Sequence, residues 1–200
     1  MLFVRDCAGL QVPPDPTVPP PLIDVVQREP AEVSGHAGTQ WLTWWRDALG
    51  LEIARHRQHE APIVGREGAR ARLRELRALC DPPLFNALAD RPELQAAAQD
   101  CIEGFRHWAS PTRSRLTTGR PGELLEWALI RQVAEDVAFD RGVSLDKVQA
   151  KITVLPVEGT WWQRIAPGVV FCSTAAALDR NVAHALLRDA FDSQVRNASE

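Results

Sequence analysis

A helix-rich α+β fold is predicted, and three observations predict it. Apolar residues recur at spacings of three and four over most of the stretch from Gln40 to Arg141, the signature of helices with one buried face. Two short runs rich in β-branched residues follow, Lys151–Val157 and Gly168–Ser173. A last amphipathic segment then closes the chain. The expectation is five or six helices, a small antiparallel sheet near the C-terminus and a closing C-terminal helix.

Residues 1–38 read as a proline-rich arm, and 39–200 as a single α+β domain with an internal hinge at 110–119. Met1–Val4 is expected as a short strand or an anchor. Between Val12 and Pro21 the chain carries six prolines. They lack the amide donors that a helix or a central strand needs, so extended backbone is expected, either as a surface-hugging arm or as a ligand for an aromatic groove.

The first strong helix is expected over Gln40–His59, with Thr39 as its cap. Trp41, Trp44, Trp45, Ala48, Leu49 and Ile53 share one face, and three indoles on that face are expected to anchor the helix to the core. A second helix is expected from Arg66 to Leu79. Asp81-Pro82 reads as a cap and a first-turn proline opening a short helix through Ala89. Pro92 opens another, with Leu94, Ala97, Cys101, Phe105 and Trp108 in one stripe. After the polar stretch Ser110–Gly119, the segment Pro121–Arg141 is apolar nearly all round, which predicts a central helix buried on several sides. Gly142 is placed to end it in a left-handed conformation. Pro156 ends the first strand or puts it at an edge. The segment Glu158–Pro167 reads as a long loop joining two antiparallel strands. The final helix, Asp179–Val195, turns Val182, Leu186, Leu187, Ala190 and Phe191 inward.

Bulk properties exclude several function classes. The formal charge is −3, so no global positive field draws the chain to nucleic acid or an anionic membrane. All but two of the 23 basic residues are arginine, a bias that runs along the whole chain and fits a GC-rich codon usage better than a set of carboxylate or phosphate contacts. The four cysteines are far apart and form no CxxC pair, so neither a structural zinc site nor a thioredoxin-like motif is expected. No charged start precedes an apolar run and cleavage site, and no apolar stretch nears membrane-spanning length; the expected location is the cytoplasm. Glycine-rich phosphate loops, HExxH and GxSxG are absent, and no cofactor is expected.

Four constellations remain. Glu52, His56 and Glu60 recur every fourth residue on one helical face, with His59 nearby, and Glu103 and His107 repeat the spacing; two facing Glu-xxx-His pairs are a candidate metal site, although bundle di-iron sites use Glu-x-x-His. The plain alternative is a solvated, charged helix end. Cys172 ends a strand just before a helix, where a thiol is activated, and His184 is its candidate base; the alternative is a buried strand cysteine followed by a Ser/Thr cap. The arginine-rich stretch Arg55–Arg77 is a candidate phosphate-binding helix, balanced by an acidic segment over Glu123–Asp146. Trp161 and Trp162, beside Arg164, form the strongest candidate recognition surface, against the alternative that the loop folds over the sheet and packs both indoles. These readings favour a non-catalytic interaction protein, homodimeric or with a protein partner, over an enzyme or a nucleic-acid binder.

Overall fold

The computed structural model describes residues 1–27, 35–58, 74, 78–117 and 124–197. Its class is α+β: seven helices among the described residues, a small three-stranded sheet near the C-terminus, and a C-terminal helix after the sheet. Contacts divide the chain into two compact units, 1–18 with 24–111 and 19–23 with 112–200.

The first unit is built on helix α2, Gly35–Gln58. It starts earlier than the capping residue predicts, so Thr39 lies inside it and its carbonyl accepts the Thr43 hydroxyl. Trp41, Trp44 and Trp45 are buried as the spacing requires, and Trp41 stacks on Trp45 with ring centroids 5.7 Å apart. Met1–Val4, expected as a short strand or an anchor, instead enters helix α1, Leu2–Cys7, which is buried along its whole length. Arg5 and Asp6 pair there at 2.5 Å, and the Arg5 guanidinium lies 5.5 Å from the Trp41 ring centre. Burying a guanidinium is tolerable in that setting because a carboxylate and an aromatic face both meet it.

The helix expected over 66–79 lies almost wholly outside the described residues, as do Glu60 and His59. The helix expected at Pro82–Ala89 shrinks to a single 3-10 turn, Asn86–Leu88. Asp81 and Phe85 both take positive φ, 41° and 51°, which breaks helical continuity on either side of the proline pair. The stripe expected to run unbroken from Pro92 divides into α3, Pro92–Asp100, and α4, Ile102–Thr117, with Cys101 between them. Leu94, Ala98 and Cys101 are buried and Phe105 is exposed. The polar stretch expected to hinge is helical through Thr117.

In the second unit, α5 (Trp127–Arg141) buries Leu129, Val133, Ala134, Val137 and Ala138 against α7 (Arg180–Asn197). It does not run buried on all sides: Trp127 is 66% exposed and Phe139 88%. Charged residues at 131, 135, 136 and 140 hold that outer face in water and override its apolar neighbours. Gly142 ends the helix at φ 63°, as its position predicts, and the Val143 amide returns to the Ala138 carbonyl.

The sheet has the order β1-β3-β2, with β1 Lys151–Leu155, β2 Trp162–Ala166 and β3 Val169–Ser173. The two β-branched runs do pair, but in parallel, Lys151 opposite Val169 through Leu155 opposite Ser173. The antiparallel partner of β3 is β2, which the sequence reading treated as loop. Pro167 and Gly168 turn the chain between them, Gly168 at φ 71°. With neighbours on both edges β3 is buried at all five positions, which is why it reads as an unbroken apolar run. From the proline-rich arm, the backbone of Pro21 and Ile23 bonds that of Glu158 and Pro156, and Leu22 bridges Val157. Short helix α6, Thr174–Leu178, joins β3 to α7.

Two glycines of α2 test its surroundings. A Cβ on Gly38 would sit 1.9 Å from the Gln11 carbonyl oxygen, whereas one on Gly50 meets nothing within 4 Å. Gly38→Ala is expected to lower the unfolding free energy, measured by urea denaturation, by about 1–3 kcal/mol, because backbone must move. Gly50→Ala is expected to raise it by up to about 1 kcal/mol through helix propensity.

Candidate functional site

The two C-terminal candidates part company once the sheet forms. Cys172 lies in the middle of the core between β3 and the helices, fully buried, and burial alone pushes its thiol up to about 12. A nucleophilic thiol needs a positive or hydrogen-bonding neighbour to lower that value, and His184 is not brought to it among the described residues. Of the two readings of this site, the buried cysteine followed by a serine cap is the one the structure shows. Ser173 is the functional cap: its hydroxyl oxygen accepts the Ala176 amide at 3.1 Å and the Trp161 amide at 3.0 Å, so one buried oxygen starts α6 and fastens the entry to β2.

On α2 and α4 the Glu/His faces are described in part. Glu52 pairs with Arg55 at 3.1 Å, and Glu103 pairs with Arg106. His56 has a buried Nε2 without a hydrogen-bond partner among the described residues, and His107 is exposed. Among the described residues no three His, Cys, Asp or Glu side chains come together as a metal site. The arginine-rich segment lies mostly outside the described residues. The acidic segment finds its arginines on α7 instead: Glu126 with Arg180, Asp140 with Arg188.

Trp161, Trp162 and Arg164 do come together, on an edge strand. Trp161 and Trp162 are half-buried, and Trp162 packs on the core cluster of the second unit. The Trp161 carbonyl accepts the Ser173 amide at 2.7 Å. Antiparallel alternation then directs the backbone groups of Trp162 and Arg164 away from β3, to the open edge of the sheet. Between Arg164 and Ala166 the register shifts, which bends the strand. Arg164 shares a face with Trp162 and reaches Asp189 on α7 at 2.8 Å.

Beside that edge lies a groove of about 420 Å³ between the end of β2 and α7. Arg164 and Pro167 line one wall; Asp189, Asp192, Ser193 and Arg196 line the other. Spacings of three and four put these helix residues on one stripe, a polar face the sequence reading passed over in favour of the apolar one. Asp192 accepts from Arg141 at 2.5 Å and from Arg196, and the Arg141 contact above all holds its carboxyl below the usual carboxylate range. Ser193 accepts the Gly168 amide at 3.1 Å and so ties the hairpin turn to the helix. Asp189 Oδ2 is enclosed yet accepts no hydrogen bond among the described residues, a local cost on the order of 1–3 kcal/mol.

Comparison with known proteins finds no matching family model, no matching curated protein and no matching solved structure.

Ser173→Ala is expected to destabilise the second unit by about 1–3 kcal/mol, because a cap is lost and the partly buried Trp161 amide loses its acceptor; thermal unfolding measures it. In the native protein Cys172 is expected to stay unlabelled by iodoacetamide at pH 8 and to label on unfolding, read by peptide mass. Asp192 is depressed in the folded state, so its stabilisation is full above the unfolded value of about 4 and is lost as pH falls through the lower folded one. Asp192→Asn is expected to flatten the acid limb of a stability-against-pH curve.

Proposed function

We propose that the chain is a non-catalytic interaction module that takes an extended segment of a protein partner along the open edge of β2. The observation that carries this reading is the edge itself. β2 has a strand neighbour on one side only among the described residues, and its outward backbone groups adjoin a polar groove. An added strand would find main-chain partners at Trp162 and Arg164, while its alternate side chains would enter the groove and meet paired arginines and carboxylates. Such an arrangement gives affinity through the backbone and selectivity through the groove. The half-buried indoles of Trp161 and Trp162 supply a rigid apolar shoulder of the kind that dominates binding energy.

Edge strands are also liabilities, and proteins commonly blunt them with charge. Arg164 is the one charged residue of β2, and it is turned onto Asp189 rather than across the edge.

The test uses peptides selected from a displayed library on the immobilised protein, followed by amide hydrogen exchange. Selected peptides are expected to protect the Trp162 and Arg164 amides. Arg164→Pro, which removes an outward N–H that an edge strand can spare, is expected to lower affinity at least tenfold. Arg164→Ala removes only the ion pair and is expected to bind within a few-fold of wild type. Protection confined to other amides, or equal binding by Arg164→Pro, overturns the reading. Loss of a dimer in Arg164→Pro, seen by sedimentation, would identify a second copy as the occupant.

A further inference from the structure

The first unit contains a second, chemically opposite space. A cavity of about 170 Å³ lies among α1, α2 and the α3–α4 junction; its walls are largely apolar, and Met1, whose α-amine is buried and interacts with Cys80 and Cys101, also lines it. Phe3, Trp44, Phe85 and Phe105 supply aromatic surface, Ala98 is a small residue on the wall, and Cys80 adds a polarisable sulfur. The polar end of the one indole on the wall is already used, since Trp44 donates to the Leu79 carbonyl at 2.8 Å. Burial pushes the Cys80 thiol up, so it stands there as a neutral, soft group.

We infer that this cavity is a binding site for a small apolar molecule, a single aromatic ring in size. Size and lining both point to that class. Cavities of about 150 Å³ with aliphatic and aromatic walls stay dry and accept benzene or xenon. An apolar lining of this size forfeits dispersion contacts where no matching group fills it. An aromatic occupant restores them and meets ring edges: Phe3 lies 5.6 Å from Phe105, centroid to centroid, at 69°, and 5.4 Å from Trp108. Phe105, at the mouth, is 39% exposed although it belongs to this cluster, which offers a way in from solvent. The site stands apart from the β2 edge and needs none of its residues.

The probe is fluorobenzene, titrated into the full chain and followed by fluorine NMR, with isotope-filtered NOEs locating it. Saturable binding is expected, with NOEs from the ring to the methyl groups of Val4, Ala98 and Ile102, and a rise in melting temperature that grows with probe concentration. Ala98→Leu fills the space from a fully buried wall position and is expected to reduce binding at least tenfold. If that variant does not fold, Cys80→Leu fills it from the other side and is read the same way. Absence of saturation in the wild type overturns the inference. So do NOEs that avoid all three methyl groups, or undiminished binding in a folded, cavity-filled variant.

Discussion

Three indole N–H groups on one helix hold the first unit together. Burying a tryptophan removes a large apolar area from water, but its nitrogen must still find an acceptor or the gain is cut back. On α2 each nitrogen finds a backbone carbonyl in a different segment: Trp41 donates to Met1 at 3.0 Å, Trp44 to Leu79 at 2.8 Å, Trp45 to Thr17 at 3.2 Å. None of those acceptors belongs to α2, so the same three side chains that form the core also choose which segments surround it. Apolar burial is non-directional, and these three bonds supply the direction. The proline-rich stretch is fastened in the same manner. Asp15 accepts from Thr17 and Arg46, and those contacts hold its carboxyl below its ordinary value.

In the second unit the comparable constraint is the central position of β3. A strand paired on both edges and buried on both faces satisfies its backbone by geometry, and it can therefore be wholly apolar. The cost falls on its neighbours. Both β1 and β2 become edges, and the chain must travel from one to the other around β3. Ser173, the one polar residue of β3, is buried at the point where strand becomes helix, and its hydroxyl serves both sides of that corner. The sheet's small size thus leaves the β2 edge open beside α7.

The α+β class, the tryptophan face of α2, the Gly142 terminus and the inward stripe of α7 were legible because each rests on a local rule: a period, a cap, a positive φ. The errors came where tertiary pairing decides. WQRIA is half polar and short, and nothing local marks it as a strand; it becomes one because β3 offers an edge. The direction of β1 was misread for the same reason, since a long connection suits either direction until the strand inside it is seen. The plain reading of Cys172, a buried strand cysteine followed by a serine cap, is the one the fold realises, and short helix α6 buries its own Ala176 and Ala177 beside it. The groove residues Asp189, Asp192, Ser193 and Arg196 were hidden by a habit of reading only the apolar stripe of an amphipathic helix.

The proposed recognition along β2 would account for an otherwise awkward feature of that strand. Its side chains toward α7 are a half-buried Trp162 and an ion-paired Arg164, neither of which packs as efficiently as the valines of β3. A strand selected only for stability would bury smaller, branched residues at both positions and would place a lysine or proline outward to discourage pairing. Here the charge is turned inward to Asp189, and the bulge between Arg164 and Ala166 bends the strand beside the groove. Bulges at sheet edges and beside active sites re-aim a side chain or terminate pairing. The second carboxylate oxygen of Asp189, enclosed and without a donor among the described residues, lies at the same spot. An inward charge and a bulge are also devices that protect a structural edge; the half-buried Trp162 and the unsatisfied Asp189 acceptor are the features of this strand and its facing helix that such protection does not account for.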